Sequence, residues 1–304
     1  MTIRKAICDS DGLSLYLKRR RSLVEAALKG ALPATGVRPA TIHKAMRYSL
    51  LAGGKRLRPI LTLAAAEACG ARDAKPALPV ACAVEMIHTY SLIHDDLPCM
   101  DDDDLRRGQP TSHKVFGEGV AVLAGDALLT RAFGLLAEMK PPKRYPLSVI
   151  LEEVATAAGS LQLIAGQVAD LEAEGKRLSI TDVRFIHKRK TAAMVVLSLR
   201  LGAMTANATP RQLKALTEFG LALGLAFQII DDILDLTQPS EQLGKSAGKD
   251  ITAAKATYPA VIGLKASRKE AALLTKKAHA ALRVFGSGGA RLAQLADELL
   301  GRTA

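Results

Sequence analysis

From Leu13 to Leu28 the apolar positions fall at helical spacing, with Lys18, Arg19, Arg20 and Arg21 among them. A Pro/Gly loop follows, Ala31 to Pro39. Pro39 to Ala52 reads as a helix that stops at Gly53-Gly54, a C-cap signal. Pro59 opens the next helix. Pro76 to Pro79 separate it from another, whose apolar segment, Val80 to Ile93, runs directly into acidic sequence. Thr111 to Gly119 reads as a loop. Val120 to Met139 reads as an apolar helix with Asp126 the one charge in its first half, where a structural or supporting role fits best. Pro141, Pro142 and Pro146 mark a surface connection. Pro146 to Glu174 is predicted as one long helix marked by Gln162, Gln167 and Asp170. Ser179 to Ala208 is predicted as another, with Lys188, Arg189, Lys190 and Thr191 at its middle. The most apolar run, Phe219 to Leu236, carries Gln228 and three aspartates. Glu241 to Asp250 is rich in Gly, Ser and Lys and has no apolar periodicity, and Ala253 to Leu300 reads as helices without chemistry.

Composition agrees with an all-helical reading. Ala and Leu dominate and aromatic residues make up only 4% of the 304 residues, which favours helix over strand. No linker divides the chain. The expectation is therefore one all-α domain, residues 1–304, of roughly a dozen helices around a deep central cavity. The net charge of +12 suits nucleic acid, an anionic membrane or small anionic substrates. The basic run at Lys18 to Arg21 lacks interleaved aromatics, so it reads as a solvated helix face, and no nucleic-acid partner is expected. Cys8, Cys69, Cys82 and Cys99 show no C-x-x-C and no spacing with His, which argues against zinc and disulfides and for a reducing compartment. Met1 to Gly12 has no apolar core, so a cytoplasmic protein is expected. No segment of about 20 residues is uniformly apolar, so no membrane span is expected.

The chemistry sits where charge interrupts apolar helix. His88 to Gly108 reads H-T-Y-S-L-I-H-D-D-L-P-C-M-D-D-D-D-L-R-R-G. Asp95, Asp96, Asp101, Asp102, Asp103 and Asp104 fall within ten residues, and Arg106 and Arg107 follow. So many carboxylates at the end of a core helix repel one another unless a cation holds them, and oxygen ligands favour a hard divalent ion, Mg²⁺ before Ca²⁺. Cys99, inside this stretch, is read as packing. Phe227 to Asp235 reads F-Q-I-I-D-D-I-L-D. Asp231 and Asp235 share a stripe of the helix with Gln228 one turn before, and Asp232 lies beside them. Carboxylates on a mostly apolar helix are costly unless paired or metal-bound, so two such helices should face each other across metal ions. Basic residues would then hold the anion the metals bind, which points to a diphosphate. Lys55, Arg56 and Arg58, in the turn after Gly53-Gly54, suit an anion. His88 and Asp95 share a stripe to within about 20°. Asp95 and Asp101 would lie about 120° apart on an ideal helix, whereas Asp102 would align with Asp95. Pro98 disfavours continuous helix, so a bulge or helix end between Leu97 and Asp102 is predicted that brings Asp101 round; unbroken helix would point to Asp102 instead.

These stretches resemble the motifs of the trans-prenyltransferases, the farnesyl and geranylgeranyl diphosphate synthase family. D-D-L-P-C-M-D with D-L-R-R-G is similar to the first aspartate-rich motif and F-Q-I-I-D-D-I-L-D to the second. G-G-K-R-L-R-P at Gly53 to Pro59, K-T-A-A-M at Lys190 to Met194 and G-K-D at Gly248 to Asp250 are similar to the others, in the family's order. The resemblance implies an isoprenoid-synthase-type helical bundle, a homodimer, and about three Mg²⁺ ions per active site acting as Lewis acids and template. It implies metal binding by Asp95, Asp96, Asp101, Asp231, Asp232 and Asp235. Lys55, Arg58, His88 and Arg107 would hold isopentenyl diphosphate. Arg106, Lys190, Thr191, Gln228 and Lys245 would hold the allylic diphosphate, dimethylallyl or geranyl, with Lys249 in the same lysine loop, which could close over the site. The reaction implied is ionisation, condensation and elimination, with the proton going to the departed diphosphate. Tyr90, five residues before the first aspartate, with Ser91 beside it, would form the floor that limits product length, as in bacterial farnesyl diphosphate synthases. Geranylgeranyl diphosphate is the other product weighed. A non-catalytic partner subunit would be expected to lose an aspartate motif, and a terpene cyclase to carry a different second motif; here both motifs stand.

Overall fold

The computed structural model describes residues 10–237 and 257–301. Cys8, Lys245, Lys249 and the Gly248–Asp250 motif lie outside them. Among the described residues the fold is helical. Helix α1 spans Ser10–Ala31, α2 Ala40–Leu50, α3 Leu57–Ala68 and α4 Leu78–Asp95. Helices α5, Ser112–Phe116, and α6, Glu118–Glu138, precede α7, Leu147–Ala158, and α8, Leu163–Glu172. Next come α9, Ile180–Ile186, a π-helical turn, His187–Ala192, and α10, Ala193–Thr205. Helix α11 spans Pro210–Thr237, α12 Tyr258–Ile262, α13 Leu264–Ala281 and α14 Ala290–Leu300. The only strands among these residues, Leu105–Arg106 (β1) and Gln109–Pro110 (β2), form an antiparallel ribbon.

Helix α10 lies at the centre because it is apolar on nearly every side; Arg200 is its one charge and pairs with Glu153 of α7. Met194, Leu197, Leu201 and Met204, at helical spacing, pack with α1, α2, α4, α6 and α7. Val195, Leu199 and Ala203 face the opposite way, into a cluster built from α3, α11, α13 and α14. Helix α4 is buried from Val80 to Ile87, so the acidic stretch begins where a core helix ends.

Several expectations are corrected. The stretch from Thr111 to Gly119 contains α5 rather than only loop. The helix predicted over Pro146 to Glu174 is broken between Ala158 and Leu163, where Gly159 and Gln162 leave helical geometry. No helix is uniformly apolar, yet three helical segments among the described residues are long and apolar enough, by length and composition, to cross a membrane. Lys75–Asp95, Glu118–Glu138 and Leu147–Glu172 all qualify, because a few polar residues do not lower a helix's average enough. The first is 72% buried inside the bundle, whereas the others are 33% and 28% buried, so their apolar faces look outward.

Candidate active site

Helix α4 ends at Asp95, two residues before the predicted region, and Asp96 caps it. The chain then curls back onto the helix end. The Asp101 amide donates to Asp95 O at 2.8 Å, Asp102 to Leu97 O at 3.1 Å and Asp103 to Asp96 O at 3.3 Å, with Asp102 at φ 47°. Pro98 and the helix end thus bring Asp101 to Asp95, as the spacing required. Burial pushes the Asp95 carboxyl up to about 6; Lys190 and Arg106 pull it down, while Asp101 and Asp96 push it further up. Asp102 instead acts on Lys114, which Asp104 pairs with at 2.8 Å. Cys99 is exposed, so its reading as packing is wrong. It rides on the outside of the turn that inverts the chain.

Arg106 reaches back from β1 to pair with Asp96, and with Asp103 at 3.1 Å. Burial works against its charge, and Asp96, Asp103 and Asp95 together more than offset this. Arg107 (φ 56°) crosses to the glycine turn and donates to Gly53 O. Gly54 holds φ 113°, a backbone conformation that L side chains rarely adopt, and this favours glycine there; the Arg107 guanidinium packs directly against it. The turn expected to offer three cations to an anion offers two. Lys55 is exposed and Arg58 half-buried, but Arg56 turns inward to Glu25, Glu85 and Leu50 O. Burial holds Arg58 below the ordinary guanidinium range, Glu85 opposing and Arg107 adding to it. Half-buried His88 is held well below its ordinary value, first by burial and then by Arg58, Arg107, Arg106 and Arg56. Arg58, His88 and Arg107 thus act on one another beside the turn that carries Lys55.

Lys190 and Thr191 sit on the π-helical turn, which two glycines admit. A Cβ on Gly166 of α8 would run into the Lys190 backbone nitrogen, and one on Gly224 of α11 would lie 2.6 Å from Ala192 Cα. Clamped there, Lys190 Nζ donates to Asp170 Oδ2 at 2.7 Å and Thr191 Oγ1 to Gln228 Oε1 at 3.0 Å. Gln167 donates to Asp95 Oδ1. The link between the two aspartate motifs therefore runs through α8 and the π turn. Gln167 and Asp170 are functional candidates that in the sequence stand out only as polar marks on their helix, with no ligand role expected of them. Their signal was three-residue spacing on an otherwise apolar helix.

In the second motif Asp231 is half-buried, Asp232 buried and Asp235 exposed. Asp232 accepts from the Tyr258 amide at 2.9 Å and from Gln228 Nε2 at 3.4 Å, and His187 Nε2 lies 3.6 Å away. His187, stacked on Tyr258 with ring centres 5.4 Å apart, is pushed down to about 4 by burial. Tyr90 is buried and meets His94 edge-on at 5.7 Å. His94 Nε2 lies 3.0 Å from Val122 O and 3.8 Å from Asp126, which gives Asp126 a supporting place. Ser91 Oγ turns back to His88 O at 2.9 Å.

Among the described residues no three His, Cys, Asp or Glu side chains close on one point as metal ligands. The acids nonetheless fit a hard divalent ion. Their donors are all oxygen, and Asp95 is left holding its proton more tightly than usual even with Lys190 and Arg106 nearby.

Residues 39–282 match the polyprenyl synthetase family model. The chain is 48% identical over 290 residues to farnesyl diphosphate synthase of Geobacillus stearothermophilus, covering 94% of this chain and 97% of the relative. It is 50% identical over 280 residues to the large subunit 1 of the heterodimeric geranylgeranyl pyrophosphate synthase of Arabidopsis thaliana, covering 90% and 74%. The crystal structure of geranylgeranyl pyrophosphate synthetase from Pyrococcus horikoshii superimposes with a TM-score of 0.86 at 31% identity, covering 95% of this chain and 98% of that one.

Proposed function

The chain belongs to the polyprenyl synthetase family, and we propose that its main product is the fifteen-carbon farnesyl diphosphate. It is a short-chain trans-prenyl diphosphate synthase, a prenyltransferase. The observation that carries the chain length is Tyr90. It is a buried aromatic near the base of the first motif, with His94 against its edge. A bulky, supported ring limits how far a growing apolar tail can extend.

The proposed division of labour follows the geometry. Asp95, Asp101 and Asp231 would hold magnesium, which supplies charge neutralisation to a leaving diphosphate. Asp96 and Asp232, already bonded to Arg106 and to the Tyr258 amide, stand behind them, and Asp235 lies one turn further along α11. Arg106, Lys190, Thr191 and Gln228 line the allylic side. The allylic C–O bond breaks, and its electron pair leaves with the diphosphate. The double bond of isopentenyl diphosphate, held by Lys55, Arg58, His88 and Arg107, attacks the carbocation. The proton lost from the new chain goes to the released diphosphate. Water must be kept out, because it quenches the carbocation.

One observation favours a second reading, geranylgeranyl diphosphate. Relatives bearing that name match about as well as the farnesyl synthase, at 50% against 48% identity. A product assay separates the two. The protein is incubated with Mg²⁺, labelled isopentenyl diphosphate, and dimethylallyl or geranyl diphosphate, and the dephosphorylated alcohols are sized. Fifteen carbons from wild type, lengthening in Tyr90→Ala, is the expected result. Twenty carbons from wild type discards the Tyr90 floor. No elongation removes the synthase assignment for this chain.

We also propose a homodimer through the outward apolar faces. Val122 and Leu123 of α6 are 38% and 59% exposed, and Leu161 and Val168 are 69% and 47% exposed. Apolar surface of this kind on a soluble protein marks an association site. Light scattering reporting a monomer at micromolar concentration would remove the proposal.

A further inference from the structure

We infer that Arg56 and Glu85 are a positioning pair for the isopentenyl diphosphate site: Arg56 locks the turn that presents Lys55 and Arg58, and Glu85 supplies the buried counter-charge that lets Arg56, Arg58 and Arg107 stand together. Neither side chain is assigned a contact with substrate. The inference rests on the reading of the cation cluster as a diphosphate site.

The geometry of Arg56 is unlike that of its neighbours. It caps the start of α3 in the left-handed region, φ 50° and ψ 37°, which an arginine rarely adopts without compensation. Its guanidinium is fully buried and each nitrogen is used. Nε donates to Glu25 of α1 at 3.0 Å, Nη1 to Glu85 of α4 at 2.9 Å, and Nη2 to Leu50 O at the end of α2 at 2.8 Å. One side chain therefore ties three helices to the backbone between Lys55 and Arg58. A planar fork with donors in fixed directions does this in a way a lysine cannot.

Glu85 supplies the other half. It is 2% exposed and stands one turn before His88 on α4. Beyond its bond to Arg56 it acts on both Arg58 and Arg107, supporting their charge against burial. Its pairing with buried Arg56 explains how a carboxylate is tolerated inside an apolar helix, and its charge helps four arginines to stand near His88.

Removing one partner outright leaves a buried charge unpaired, so the tests use conservative variants. Arg56→Lys keeps the charge and loses the fork. Its KM for isopentenyl diphosphate should rise by about tenfold, the lower end of what losing an outer partner costs a bound ion. The KM for geranyl diphosphate should stay within about twofold. Glu85→Gln keeps an acceptor for Arg56 but removes the counter-charge. The melting temperature of its ligand-free form should fall, and inorganic diphosphate should raise it by more than it raises that of wild type, because the anion replaces the missing charge. Equal changes in both KM values for Arg56→Lys, or no change in either, would overturn the positioning role. An equal diphosphate shift in wild type and Glu85→Gln would overturn the counter-charge role. If wild type failed to condense isopentenyl diphosphate, the functional reading would fall, and the diphosphate melting comparison would still decide the role of the pair.

Discussion

The site has two poles of opposite sign, and they are balanced by different means. At the acidic pole the carboxylates gather where α4 ends, and cations reach them on long side chains from other elements. Arg106 comes from β1 to Asp96 and Asp103, and Lys190, bonded to Asp170 of α8, acts on Asp95 from the π turn. At the basic pole the counter-charge is Glu85, fixed inside α4. Burial is the first cause of strain at both poles. It holds Asp95 at about 6 despite Lys190 and Arg106, and Arg58 below its ordinary range despite Glu85. A ligand of opposite charge would offset that cost, magnesium at one pole and diphosphate at the other. A site organised in advance for ligand charge need not rearrange during reaction, and it is less comfortable without its ligands.

The largest expected effect breaks the acidic pole. Asp95→Asn keeps the acceptor for Gln167 and removes the charge. Condensation should fall on the order of 10³-fold, as when a group aimed at transition-state charge is lost. A variant that keeps a tenth of the wild-type rate would show that Asp95 is structural. Next comes the connection between the motifs. Gly166→Ala sets a methyl group against the Lys190 backbone, so the π turn must shift. The KM for the allylic diphosphate should rise by about tenfold, while overpacking costs about 1–3 kcal/mol of stability. An unchanged allylic KM would detach the π turn from substrate binding.

Asp232 sharpens the contrast within a motif. Asp232→Ala leaves the buried Tyr258 amide without its acceptor, a loss of about 1–3 kcal/mol. Its melting temperature should drop by several degrees, whereas Asp231→Asn should lose more activity and keep its melting temperature. The reverse pattern would exchange the two roles.

Much of this was legible in the residues because it depends on local geometry. The angular mismatch between Asp95 and Asp101, together with Pro98, required the helix to end, and it does. The apolar runs of α4 and α11 marked the places where charge had to have a purpose. What was not legible depends on contacts between elements. The inward turn of Arg56 is decided by Glu85, 29 residues away. The π turn is decided by Gly166 and Gly224, which look unremarkable in their own helices. Periodicity also read Pro146 to Glu174 as continuous, since its apolar stripe persists across the break at Gly159. Cys99 was misread because a residue inside an acidic motif can lie on the outer side of the turn that forms it.

The smallest expected effect probes the basic pole through pH. Burial and the four arginines Arg56, Arg58, Arg106 and Arg107 hold folded His88 well below its ordinary value, and Glu85 is the acid on the same helix that faces those arginines. In the unfolded chain His88 returns to about 6.5. Between the two values the unfolded chain binds the extra proton, so stability is fully present above about 6.5 and is lost as pH falls below it. His187, pushed down to about 4, contributes with the same sign, so the test must isolate His88. Between pH 7.5 and 5, His88→Gln should lose less melting temperature than wild type. Saturating inorganic diphosphate should narrow that gap, since a bound anion lets His88 accept its proton in the folded state. Parallel curves for wild type and His88→Gln, with and without diphosphate, would mean that the arginines do not act on His88, and the picture of a cationic pole awaiting an anion would lose its main electrostatic support.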